Sequence, residues 1–117
     1  MRSPRILAAG LTLVAGVTLV AACSGGSSSP AAPSGDPVLT EGQQIYSQNC
    51  ASCHGASGQG GYGKKLAGVV TTKYPNIDDQ IAVITNGKGA MPAFSKKLSA
   101  EQITAVARYT REVLGNN

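Results

Sequence analysis

The residues most able to do chemistry lie in one short stretch, 50–55, which reads CASCHG. Cys50 and Cys53 are three residues apart, and His54, the only histidine of the chain, follows directly. On a helix these side chains project from one face, because residues three and four apart are neighbours there. The spacing suits a redox dithiol, part of a zinc site, a local disulfide or the attachment site of a covalent cofactor.

The rest of the sequence helps to decide among these four kinds of site. A thioredoxin-like dithiol requires a strand before the helix and a parallel sheet, and neither is legible here. A tetrahedral zinc site needs a fourth soft ligand, and the only other Cys or His is Cys23. A disulfide between Cys50 and Cys53 is sterically awkward but stays open. Cys-x-x-Cys-His is the attachment signature of haem c, so the stretch favours one covalent haem, with two thioethers and His54 on the iron.

Haem iron has a second axial position, for which Met91 is the candidate. It is the only methionine besides the first residue, and it lies in the stretch NGKGAMPAF. Gly87 and Gly89 permit unusual backbone angles, and Pro92 biases Met91 towards an extended conformation. Such a loop can present a thioether to a metal, although most methionines only pack. With the haem signature present, we expect Met91 opposite His54, the axial pair that raises the potential of a c-type haem.

The first 22 residues predict an export signal. Arg2 and Arg5 precede an apolar run from Ile6 to Val20, which ends in two alanines before Cys23. The stretch VAAC resembles the lipobox of bacterial lipoproteins, in which the cysteine is acylated and becomes the first mature residue. An uncleaved anchor helix is the alternative. Both interpretations place the remainder outside the cytoplasmic membrane and tethered to it.

Residues 24–37 are almost entirely Gly, Ser, Pro and Ala, which predicts a flexible linker. As a coil its ends would lie roughly 20 Å apart on average and at most roughly 50 Å apart. The predicted organisation is therefore a signal peptide at 1–22, a lipidated Cys23 with its linker at 23–37, and a folded domain at 38–117.

The folded part predicts three helices and no strand. Capping residues and apolar periodicity place them at 41–54, 77–85 and 100–114. We expect Thr40 to open the first helix as a capping box with Gln43. Asn76 and Ser99 are expected to open the second and third. Long irregular segments between them need a ligand to hold them.

Composition narrows the function further. Without Arg2 and Arg5 the chain has 8 basic and 6 acidic residues, a net charge of +2, which is too little to indicate nucleic-acid binding. One phenylalanine, four tyrosines and no tryptophan leave few large side chains for a core. A haem would supply the missing apolar bulk, and its covalent attachment would stabilise a small domain.

From residue 38 to 114 the chain resembles a class I cytochrome c, particularly the small carriers of bacterial, cyanobacterial and algal electron-transfer chains. The similarity rests on CASCHG, on LAG at 66–68, on ITNGKGAMPAF at 84–94 and on LSAEQITAVARYT at 98–110. It implies an all-α class I cytochrome c fold, with three or four helices and loops wrapped around one covalent haem.

The resemblance also implies roles for particular residues. Leu66 and Phe94 would pack against the haem. The first and last helices would cross at a small residue beside an aromatic pair, for which Gly42, Tyr46 and Tyr109 are suitably placed.

One stretch departs from the family pattern. Family members often have Gly-Pro-x-Leu-x-Gly, in which the proline carbonyl accepts the proton of the other histidine nitrogen. Here residues 63–68 read GKKLAG. Lys64 still offers a carbonyl, although without the rigidity of proline, so we expect the same bond to His54.

Two protein ligands on the iron leave no open position for a substrate, so we expect an electron carrier and not an enzyme. The resemblance implies a membrane-tethered protein that passes single electrons in a respiratory or photosynthetic chain. Its donor would be a quinol-oxidising complex or a dehydrogenase, and its acceptor a terminal oxidase or similar protein. A dedicated haem subunit of one oxidase or dehydrogenase is an alternative. A small haem peroxidase or ligand sensor, in which Met91 leaves the iron, is another.

Overall fold

A computed structural model describes residues 28–117. This part contains five α-helices and a terminal 3₁₀ helix: α1 Pro37–Asn49, α2 Ala51–His54, α3 Val70–Lys73, α4 Ile77–Asn86, α5 Ala100–Glu112 and Leu114–Asn116. It has no strand, only an isolated bridge between Lys88 and Met91, and none of its helices is long and apolar enough to span a bilayer. The all-α prediction is confirmed. The predicted signal at 1–22 and Cys23 lie outside the described residues.

Helix α1 begins earlier than predicted. The Asp36 carboxylate accepts hydrogen bonds from the backbone N–H groups of Val38 at 2.9 Å and Leu39 at 3.1 Å. Pro37 occupies the first helical position, where its missing N–H costs nothing. The prediction that Thr40 opens this helix is therefore wrong, because Asp36 already caps it one turn earlier.

The predicted single helix over 41–54 is two helices that meet at Cys50. This residue departs from helical geometry, with φ −119° and ψ −37°, and α2 begins immediately after it. Helical hydrogen bonds continue across the join, from Cys50 N to Tyr46 O and from His54 N to Cys50 O, each at 2.9 Å. Cys50 and His54 thus keep the one-turn relation that the spacing predicted.

Helices α4 and α5 begin where their capping residues predicted. The Asn76 side chain accepts a hydrogen bond from the Asp78 N–H at 3.0 Å. Ser99 and Gln102 form a reciprocal capping box, at 3.2 Å and 3.0 Å. Helix α5 ends at Glu112, two residues before the predicted end, and the chain then tightens into the 3₁₀ helix.

The core forms where α1 crosses α5. A Cβ on Gly42 would overlap the carbonyl oxygen of Ala105 and stand 2.8 Å from Cβ of Tyr109, so only glycine allows this approach. Tyr46 and Tyr109 are fully buried, with ring centroids 5.5 Å apart and planes at 48°. The crossing and aromatic pair implied by the resemblance are confirmed. The buried cluster comprises Ile45, Tyr46, Ile84, Phe94, Ile103, Ala105, Val106, Ala107, Tyr109 and Leu114.

A buried polar group joins α4 to α5. Gln80, only 5% exposed, donates from Nε2 to Thr110 Oγ1 at 2.6 Å. The Arg111 guanidinium donates to Gln80 Oε1 at 3.3 Å and to the carbonyl of Tyr74 at 2.7 Å. Because these polar atoms satisfy one another, α4 can pack on α5 with an amide inside.

Residues 29–36 lie against α1 and α5, although their composition is that of a flexible linker. Ala32 N donates to Gln43 Oε1 at 3.0 Å, and Tyr109 OH donates to the Pro30 carbonyl at 2.6 Å. Gln43, expected in a capping box, holds this segment instead. Local composition gave no sign of the contact because the partners lie 11 and 79 positions away.

We predict that Gly42→Ala destabilises the protein by about 2 kcal/mol, because the added methyl must push α1 away from the Ala105 backbone. Alanine normally stabilises a helix relative to glycine by about 1 kcal/mol, so the sign of the effect is diagnostic. Urea unfolding of the holoprotein measures it. Gln44→Ala, at an exposed position of α1, is the control and should change stability by less than about 0.5 kcal/mol. A stabilising Gly42→Ala would contradict the close crossing.

Candidate haem site

Helix α2 and the residue before it carry the two thiols and the imidazole. Both thiols are free, so the disulfide that the sequence left open is not formed. Cys50 is half-buried and packs against the core cluster, whereas Cys53 is exposed. His54, the last residue of α2, is half-buried. One thiol is therefore anchored on the core while the other stands at the surface.

The His54 ring is oriented by a single backbone acceptor. Its Nδ1 lies 2.7 Å from the carbonyl oxygen of Lys64. A carbonyl can only accept, so Nδ1 carries the proton and Nε2 keeps a lone pair. Nε2 is thus the nitrogen able to bind a metal, with its orientation set by the bond on the other side of the ring. The expected bond is confirmed, even with lysine in place of proline.

A glycine-rich loop brings the Lys64 carbonyl close to the imidazole of His54. Gly60 N donates to the His54 carbonyl at 2.7 Å, and Gly63 N donates to the Cys53 carbonyl at 2.8 Å. A Cβ on Gly63 would stand 2.9 Å from Nδ1 of His54. The loop can lie this close to α2 only because these positions lack side chains.

Tyr46 supports the same helix from the core. Its hydroxyl donates to the carbonyl of Gly55, the residue after His54, at 2.7 Å. Burial raises the pKa of Tyr46, so the hydroxyl stays protonated and remains a donor. From the sequence, Tyr46 had only a packing role. The sequence signal for this hydrogen bond was a hydroxyl at an apolar helix position one turn before Cys50.

The Cys50 thiol is not activated for dithiol redox chemistry. Burial, and after it the neighbouring Cys53, raises the pKa of the Cys50 thiol to about 11. A thiol protonated at neutral pH is a poor nucleophile, unlike the activated cysteine of a dithiol oxidoreductase. Nor does any group of three or more Cys, His, Asp or Glu side chains that could hold a metal ion occur within 28–117. The donors that remain suit covalent attachment of a cofactor.

Met91 closes a tight turn after α4. Lys88 and Met91 exchange two backbone hydrogen bonds, each at 3.1 Å. Gly87 and Gly89 take positive φ angles of 77° and 60°, which residues with a Cβ rarely adopt. The turn thus holds Met91 in a defined position.

Four of the predicted site residues belong to the hydrophobic core cluster or pack against it. Leu66 and Met91 are half-buried and pack against the same cluster as Cys50, and Phe94 belongs to that cluster with 8% exposure. Five other half-buried apolar side chains pack against the cluster, and sequence reasoning had not assigned them to the site: Ala51, Ile77, Ile81, Leu98 and Val113. These half-buried apolar side chains, with Cys50 among them, are ones that a flat apolar cofactor such as haem could cover.

Comparison with known proteins gives consistent matches. A family model described as cytochrome c oxidase, cbb3-type, subunit III matches residues 37–109. The chain is 38% identical over 71 residues to cytochrome c6 of Leptolyngbya boryana, which covers 58% of this chain and 84% of that protein. It is also 34% identical over 91 residues to the cbb3-type cytochrome c oxidase subunit FixP of Azorhizobium caulinodans. That match covers 74% of this chain and 31% of the subunit.

The fold is shared with solved structures. Cytochrome c6 of the diatom Phaeodactylum tricornutum aligns with a TM-score of 0.55 and 37% identity. The alignment covers 62% of this chain and 88% of the diatom protein.

We predict that Tyr46→Phe destabilises the holoprotein by about 1–2 kcal/mol, because the partly buried Gly55 carbonyl loses a donor. The Gly58 amide, which donates to the same carbonyl at 3.1 Å, should also exchange faster with solvent. Denaturant unfolding and amide exchange measure the two effects. Tyr62→Phe, at a fully exposed tyrosine, is the matched control and should change neither. Equal stability and equal amide exchange in the two variants would show that Tyr46 does not support α2.

Proposed function

Because the chain belongs to the cytochrome c family, we propose that it carries single electrons through one covalent haem c whose iron is bound by His54 and Met91. Cys50 and Cys53 would hold the haem through thioethers. The proposal rests chiefly on the 2.7 Å bond from His54 Nδ1 to Lys64 O, which leaves Nε2 for the iron beside two free thiols. The haem supplies the one-electron redox chemistry when bound.

The remaining site residues set the conditions for electron transfer. As a ligand, the soft sulfur of Met91 would favour reduced iron and so raise the potential of the bound haem. Leu66 and Phe94, with the apolar side chains beside them, would exclude water from the haem faces. With His54 and Met91 both engaged, no position is left for a substrate. The chain is an electron carrier of its family and not an enzyme.

The carrier is proposed to work at a membrane. Cys23 would carry the lipid after removal of residues 1–22, leaving the domain on the extracytoplasmic side. Its partners would be redox proteins, with a quinol-oxidising complex or dehydrogenase as donor and a terminal oxidase or similar protein as acceptor. Exposed lysines in the loops suit an acidic partner surface: Lys64, Lys65, Lys88, Lys96 and Lys97.

A dedicated oxidase subunit is the second candidate. The observation in its favour is the family model for subunit III of a cbb3-type oxidase, together with the similarity to FixP. The chain spans about a third of FixP, so any shared assembly would involve only this domain.

We predict that the reduced native protein does not bind carbon monoxide, whereas Met91→Leu does. Leucine keeps the apolar bulk of Met91 but has no sulfur to occupy the iron. Absorption spectra with and without carbon monoxide measure this, and the same spectra give the haem type and stoichiometry. Lys88→Ala, in the same turn, should behave like the native protein. Carbon monoxide binding by the native protein would instead support a ligand sensor or peroxidase.

We predict that the protein, purified from membranes in mild detergent, has an intact mass that begins at Cys23 and includes acyl chains. Cys23→Ser should abolish the added mass and release the domain from the membrane. A mass that begins before Cys23, without acyl chains, would exclude the lipoprotein assignment. A carrier should elute alone, whereas stoichiometric oxidase subunits in the same fraction would favour the second candidate.

A further inference from the structure

The segment Ser29–Asp36, here called the strap, is fixed along one side of α1. Gln43 holds it twice, accepting from Ala32 N at 3.0 Å and donating to the Ser29 carbonyl at 3.3 Å. The hydroxyl oxygens of Ser47 and Ser29 lie 3.1 Å apart, at hydrogen-bonding distance. Ser29 itself is only 9% exposed. A serine this well covered is held by the domain and does not belong to a solvated linker.

The strap is also fixed to α5. Tyr109 OH donates to the Pro30 carbonyl at 2.6 Å, and Arg108 pairs with Asp36 at 3.0 Å. Glu112 holds the same guanidinium at 2.7 Å, which orients Arg108 towards the strap. The Arg108–Asp36 ion pair contributes little stability alone, because its side chains are about a third exposed. The distribution of these contacts along the whole segment fixes its path.

That path runs back along α1. Asp36 caps the first turn, whereas Ser29 lies against Ser47, eleven residues further along the helix. At 1.5 Å per residue this is a displacement of about 16 Å. Ser47 lies three residues before Cys50, so the strap begins beside the haem-attachment end of α1 and not at its start.

We propose that the strap holds the haem-bearing end of the domain close to the anchoring membrane, where a redox partner embedded in that membrane can reach it. Only residues 24–28 separate Cys23 from Ser29, and this stretch spans at most roughly 20 Å. If the whole segment from Cys23 to residue 37 were flexible, it would reach roughly 50 Å. It would then connect the membrane to the opposite end of α1. The inference rests on the proposed lipid at Cys23 and haem at Cys50.

The test uses lipidated holoprotein on phosphatidylcholine vesicles that contain a dansyl-labelled headgroup lipid. Haem quenches dansyl at short range, so quenching reports the distance of the haem from the membrane. Gln43→Ala/Ser47→Ala removes the α1 contacts of the strap with good helix formers. Gln44→Ala/Gln48→Ala changes exposed side chains one position along the same helix and is the matched control.

We expect strong quenching for the native protein and the control, and about twofold weaker quenching for Gln43→Ala/Ser47→Ala, because the released chain lengthens the tether. The Ala32 amide should be protected in the native protein and exchange at least about tenfold faster in this variant. Equal quenching in all three proteins, or an unprotected native Ala32 amide, overturns the proposal. If the double variant perturbs the haem spectrum, Tyr109→Phe provides a second release of the strap at Pro30.

Failure of the proposed function is visible separately. A purified protein without haem absorption or acyl mass would overturn the carrier and its anchor. Exchange at Ala32 would still report whether the strap is fixed to the domain.

Discussion

The close crossing of α1 and α5 is the constraint on which the rest of the structure depends. Because Gly42 lets the two backbones touch, Tyr46 and Tyr109 come together as a fully buried pair. Each tyrosine then uses its hydroxyl for a different purpose. The Tyr46 hydroxyl donates to the carbonyl of Gly55, the residue after His54, and the Tyr109 hydroxyl donates to the carbonyl of Pro30. One packing contact therefore supports both the helix that presents the imidazole and the strap that precedes α1.

The site itself is built from backbone more than from side chains. Carbonyls and amides of the glycine-rich loop orient His54, and paired backbone hydrogen bonds hold the turn of Met91. Backbone groups need no particular side chain, which explains why Lys64 can replace the proline common in the family. Several apolar side chains that pack against the core, Cys50 among them, remain only half-buried. A covalent group that completes this surface would also stabilise a domain too small to rely on its own core.

The contacts of the strap could not be predicted from its own composition. Residues 29–36 have the composition of a flexible coil, and nothing within them predicts order. Their order comes from Gln43, Arg108 and Tyr109, which lie on two helices that meet only in the folded protein. The same reason explains the misplaced start of α1. Thr40 and Gln43 match a capping box locally, but Asp36 caps earlier and Gln43 is engaged by the strap.

Features that depend on neighbours in the chain were determined by the sequence alone. The haem signature at Cys50, Cys53 and His54, the caps at Asn76 and Ser99, and the glycine turn before Met91 rest on spacings within one helical turn or one loop. Tertiary structure decided which atoms meet across long separations: Lys64 O with the imidazole, Gln80 with Thr110, and Pro30 with Tyr109. Such contacts depend on how the helices pack, and the packing depends on the whole chain. Periodicity in one segment therefore cannot reveal them.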